Sequence, residues 1–132
     1  MKKRLDSLEN IKQLQAKLHD LTVWRLAAIG QQRDALEKTQ RDMIDAIDRE
    51  AMAHGALLAG ATRRLRAVDR QIATAKDNYE AQSQRVLDQG ARAKLAERLV
   101  AGVAVKVRAQ QERKDLADLI ERTLHGKTSS SA

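Results

Sequence analysis

The stretch "HGALLAGATRR", residues 54–64, holds the densest set of residues that could handle a phosphate. Gly55 and Gly60 bracket four residues and Thr62 follows, close to the pattern G-x-x-x-x-G-K-[ST]. In that pattern backbone N–H groups cradle phosphate and a lysine reaches the β/γ oxygens. Here Ala61 stands where the lysine belongs, no strand-like run leads into Gly55, and the flanks are alanine-rich helix formers. The stretch therefore reads as a helical corner with no nucleotide bound. His19, His54 and His125 are isolated, with no second His or Cys at i+3 or i+4 to close a metal site. Carboxylates are plentiful but spread along the chain, without the enclosed pocket in which burial shifts a pKa for catalysis. These residues predict a protein that is not an enzyme and takes no metal, no cofactor and no small-molecule substrate.

The elements that carry these residues follow from composition. The chain of 132 residues has no Phe, one Trp (Trp24) and one Tyr (Tyr79). Much of its hydrophobic fraction of 42% is alanine, which removes little surface from water and argues against a compact core. A charged fraction of 33%, no proline, and abundant Ala, Leu, Gln, Glu, Lys and Arg mark long helices and coiled coils. With no cysteine there is no disulfide framework, in keeping with a reducing compartment. The start, "MKKRLDSLENIKQLQ", has a basic head but no apolar run behind it, so neither a secretory signal nor membrane insertion is expected. A cytoplasmic protein is the expectation. The tail "GKTSSSA", residues 126–132, lacks apolar residues and is expected to be disordered.

From Leu58 a heptad seam runs through Ala61, Leu65, Val68, Ile72, Ala75, Tyr79, Gln82, Val86, Gln89, Ala93, Ala96, Val100, Val103 and Val107. Alternating steps of three and four make a narrow stripe that faces one long partner helix. Small and polar members (Gln82, Gln89, Ala93, Ala96) predict a thin, compliant middle. A looser stripe occupies the first half: Leu8, Ile11, Leu14, Leu18 and Leu21, then Ile29, Leu36, Met43 and Ile47. Gly30 falls inside it, at a cost of roughly 1 kcal/mol relative to alanine, which a long helix absorbs. The fold class predicted is all-α, a long antiparallel two-helix coiled-coil hairpin. Its first helix spans about 5–53, its turn about 54–57 with Gly55 and Gly60 at the corner, and its second helix about 58–125. Pairing by residue numbers that sum to about 113 brings Ile47 to Leu65 and Val68, Met43 to Ile72, Leu36 to Ala75 and Tyr79, Ile29 to Val86, and Ile11 to Val100 and Val103. Heptads alone do not name the partner helix, so an intermolecular parallel coiled coil is the alternative architecture.

Charge is uneven. Residues 1–54 hold 10 basic and 9 acidic side chains and residues 55–132 hold 15 and 9, so most of the net +7 lies on the second arm. Asp34, Glu37, Asp45 and Asp48 fall along one flank of the first helix, and Asp48 with Arg64 is the expected interhelical charge pair. A pI of 10.1 favours phosphate attraction. Acids are interspersed and aromatics for base stacking nearly absent, so nucleic acid is the weaker reading.

Past the reach of the first helix, "RAQQERKDLADLIERTLHG" places Leu116, Leu119, Ile120 and Leu124 at helical spacing, with Arg113 and Lys114 beside them. Either Leu5 and Leu8 fold back over this face, or it docks another protein.

The run Gln111-Glu112-Arg113-Lys114-Asp115-Leu116-Ala117-Asp118-Leu119 resembles the charged run near the C-terminus of the flagellar type III export stalk family (FliJ-like), relatives of the central stalk proteins of virulence type III secretion. "LENIKQLQAKLHDL" is similar in type to that family's N-terminal helix. The alanine-rich turn departs from the pattern at the hairpin tip. The resemblance implies a stalk whose paired ends meet and stimulate a hexameric export ATPase, with other surfaces contacting the export gate or chaperones. It also implies a cytoplasmic protein held peripherally at the inner membrane through that apparatus. A basic scaffold or nucleic-acid-associated coiled coil unrelated to export is the alternative function.

Overall fold

A computed structural model describes residues 2–51 and 58–130. Two helices account for them: α1, Lys2–Ala51, and α2, Leu58–Ser130. They pack against each other as an all-α hairpin, with no strand among the described residues. Helix formers and the absence of proline leave nothing to interrupt either run, and Gly30, Gly90 and Gly102 all sit within them. The expected turn at 54–57, with Gly55, lies outside the described residues. Gly60 does not belong to a corner: it is in the first turn of α2, with open space around it. Residues 126–130, expected as a disordered tail, continue α2 to Ser130, since one glycine costs a helix little and Thr and Ser do not end it.

Contacts divide the chain into two units, Met1–Ala16 with Ala91–Ala132, and Lys17–Gly90. In the Lys17–Gly90 unit the core is Ile72 and Ala75 on α2, with Leu26, Ile29, Leu36, Met43 and Ile47 half-buried on α1. Leu36 and Ala75, an expected pair, line the same shallow groove.

Three contacts mark the register of this unit, two against glycines and one between polar side chains. Tyr79 lies against Gly30, where an added Cβ would stand 3.3 Å from the ring, and His19 lies against Gly90, where Nε2 would be 3.3 Å away. Gln40 Nε2 donates to Asp69 Oδ1 at 2.7 Å. Each of these pairs has residue numbers summing to 109, about one helical turn from the expected 113. Tyr79 and His19 each lie over a glycine, where an added Cβ would require the ring to give by a few tenths of an ångström, so Gly30 and Gly90 are close-packed positions. Arg33 completes the ring's surroundings, its guanidinium 4.4 Å from the Tyr79 centroid.

Burial shows which α1 residues face α2. His19, Thr22, Leu26 and Ile29 are half-buried, whereas Leu18, Leu21 and Trp24 stand to the side and remain exposed. The expected leucine stripe is therefore displaced from the seam. Gln82 is 3% exposed, its Nε2 donates to the Thr22 carbonyl at 3.0 Å, and its Oε1 accepts from Arg85 Nη1 at 3.4 Å. A carbonyl has two lone pairs, so Thr22 can serve this bond and its own helix together. This polar seam position is therefore buried and hydrogen-bonded across the two helices.

In the other unit Ala96 and Val100 are buried, and Leu5, Leu8, Val103, Ala104 and Val107 are half-buried, while Ile11 and Leu14 are exposed. Gly102, on the outward side of α2, has nothing near a built Cβ. Gly102→Ala should therefore raise stability by about 0.5–1 kcal/mol through helix propensity alone. Urea unfolding of the two proteins checks this; a decrease would mean that the position contacts something.

Candidate protein-docking surface

Of the residues that resemble a phosphate loop, Gly60, Ala61 and Thr62 lie in α2, and Gly55 lies outside the described residues. Thr62 Oγ1 donates to the Leu58 carbonyl at 2.7 Å, so its hydroxyl serves the helix backbone. His19 is packed in the interface, His125 is exposed on α2, and His54 lies outside the described residues. Among the described residues no group of three His, Cys, Asp or Glu side chains converges as a metal would require. Asp48 and Arg64 are both exposed, and no ion pair joins them among the described residues. A hydrated carboxylate and a hydrated guanidinium gain little from meeting at a surface, typically about 0–1 kcal/mol, so nothing compels the pair to form.

The C-terminal stretch is different. Burial along α2 ends at Ala109, and every residue from Gln110 to Lys127 is exposed. Leu116, Leu119, Ile120 and Leu124 are each more than half exposed, and Arg113 and Lys114 stand beside them in water. Leu5 and Leu8 are half-buried without covering this face, which excludes the fold-back reading.

Helical phase explains why. Steps of three and four continued past Val107 land on Gln110, Lys114, Ala117 and Glu121 before Leu124. The α1-facing seam thus turns polar from Gln110 to Glu121, while Leu116, Leu119 and Ile120 rise on another side and Leu124 falls at the seam's own phase. Longer coverage by α1 along the same line would have met Lys114 and Glu121. Lys114 therefore shares the seam's phase, whereas Arg113 is on the leucine side, one turn before Leu116. The surrounding polar groups are satisfied locally: Gln111 Nε2 donates to Asp115 Oδ1 at 3.0 Å, and Thr123 Oγ1 to the Leu119 carbonyl at 2.8 Å. What remains is a ready helix bearing aliphatic anchors at i, i+4 and i+8, the pattern of a helix that lies in an apolar groove of a partner.

Sequence reading found this face from spacing alone. It placed Tyr79 in the seam but missed Gly30 opposite it and the His19–Gly90 pair, whose roles need the opposite helix to be seen; the one available signal was the isolation of two glycines within otherwise strong helix formers. No helix is long and apolar enough to cross a membrane, among the described residues. Set against known proteins, the chain matches no family model, no curated protein and no solved structure.

Proposed function

We propose that this chain is a non-enzymatic stalk or adaptor of a bacterial flagellar (type III) export apparatus, which docks a hexameric export ATPase through the exposed leucine face of α2. The observation that carries the adaptor reading is the face itself: four large aliphatic side chains in water, three of them out of phase with the helix's own seam. An apolar surface of this kind on a helix is a binding surface or an aggregation liability. The resemblance of residues 111–119 to the export stalk family supplies the partner, and with it contacts to the export gate or chaperones and a peripheral place at the inner membrane through the apparatus.

The test is co-purification with the export ATPase. Leu116→Asp/Ile120→Asp should lower binding at least about tenfold, because two anchors of a groove-bound helix each contribute on the order of 1–2 kcal/mol. Helicity by circular dichroism should not change, since neither side chain is packed. Undiminished ATPase binding by this variant would remove the leucine face from the proposal. Salt separates the nucleic-acid alternative: phosphate binding falls steeply between about 50 and 200 mM salt, whereas apolar docking does not.

A further inference from the structure

The outward side of α2 over residues 91–109 forms a second exposed patch, off the seam and in the same helical phase as Leu116 and Ile120 three heptads further on. Ala96, Val100, Val103 and Val107 mark the packed side. Leu95, Leu99 and Val105 lie on the other, 57%, 50% and 64% exposed. The same 91–109 stretch carries five bases, Arg92, Lys94, Arg98, Lys106 and Arg108, against one acid, Glu97. At about 100° per residue, Arg98 and Lys106 fall within the sector of the three apolar side chains, Arg92 and Lys94 border it on either side, and Glu97 falls roughly opposite it. All of these residues are exposed. The face therefore interleaves aliphatic groups with long cationic ones and keeps its acid away.

That combination narrows the occupant. The leucines require an apolar phase and the bases an anionic one. A nucleic-acid backbone answers only the bases, and a second copy docked by the same face would set these cations against each other. The interface of an anionic bilayer offers both requirements in one plane: leucines enter at the level of the headgroup–acyl boundary, and Lys and Arg stems lie along the apolar surface with their charges among the phosphates. We infer that the Leu95–Leu99–Val105 face of α2 rests on anionic lipid, as a peripheral contact that spans nothing. The inference does not depend on the export reading, because it uses none of the residues assigned to ATPase docking.

Flotation of the full chain with vesicles tests it. Vesicles of phosphatidylcholine mixed with phosphatidylglycerol should carry at least about ten times more protein than vesicles of phosphatidylcholine alone. Arg98→Glu/Lys106→Glu should abolish the difference, and Leu95→Asp/Leu99→Asp should lower binding by at least about tenfold, with helicity unchanged in both. Leu116→Asp/Ile120→Asp should float like the unmodified chain. Three results would overturn the inference: no preference for the anionic vesicles; full binding by the leucine variant, which would reduce the contact to bulk charge attraction; or loss of flotation with the 116/120 variant alone, which would move the lipid contact to the extension. Duplex DNA binding that is insensitive to Leu95→Asp/Leu99→Asp, in the absence of vesicle binding, would point to a phosphate backbone instead.

Discussion

Ile72→Asp should destabilise the Lys17–Gly90 unit by about 3–5 kcal/mol, the range seen when a large buried aliphatic side chain is lost. Ile72 is 6% exposed and is the only large aliphatic residue among the buried positions of that unit described here; the other buried apolar side chain is Ala75. The substitution removes the burial of the aliphatic side chain and requires a carboxylate either to lose its hydration or to force the helices apart. A two-helix interface has no second layer to compensate. Since domains of this size are stable by about 5–15 kcal/mol, the loss should move the urea midpoint strongly and lower helicity at ambient temperature. Leu87→Asp is the matched control, because Leu87 is an exposed residue on the same helix. It should change stability by no more than about 0.5 kcal/mol. Equal effects of the two substitutions would mean that Ile72 does not pack against α1.

Gln82→Leu should leave stability within about 1 kcal/mol of the unmodified protein yet loosen the register of the hairpin. Replacing a buried polar group by an apolar one of similar size often costs little, because the desolvation penalty disappears along with the hydrogen bond. What disappears too is directionality. Leucine packs equally well one turn up or down the seam, whereas the Gln82 amide finds the Thr22 carbonyl in one register only. Spin labels on Lys38→Cys and Arg70→Cys, both exposed positions in the same unit, should report one narrow distance in the unmodified background. With Gln82→Leu the distribution should broaden or gain a component displaced by about 5 Å, one helical turn. Gln82→Ala, which leaves a hole as well as an unmade bond, should instead cost about 1–3 kcal/mol. An unchanged narrow distance in Gln82→Leu would assign the register wholly to Tyr79 over Gly30 and His19 over Gly90.

The glycines and polar seam residues show where local and tertiary information part. A glycine in a helix-forming sequence reads locally as a small penalty, and Gly102, with open space around it, is only that. Gly30 and Gly90 look the same in sequence but sit under Tyr79 and His19. Gln82 likewise reads as a weak seam position until the opposite carbonyl is in place. On α1 the more hydrophobic line through Leu18 and Leu21 was the natural choice for the core, yet the half-buried line runs through His19, Thr22, Leu26 and Ile29. Hydrophobicity alone did not decide this, because the two lines lie side by side on a helix.

The sequence by itself determined the helices, the seam of α2 and the leucines of the extension, because these depend on propensity and on periodicity within one chain segment. Heptad spacing is a property of a single helix, and so is the phase shift that carries Leu116 and Ile120 off the seam. Only the tertiary structure decided the register, the side of α1 that is covered, the hydrogen bond at Gln82 and the absence of the Asp48–Arg64 pair. Each of those depends on which atoms stand opposite one another, which the residue types and their spacing along a single helix do not specify.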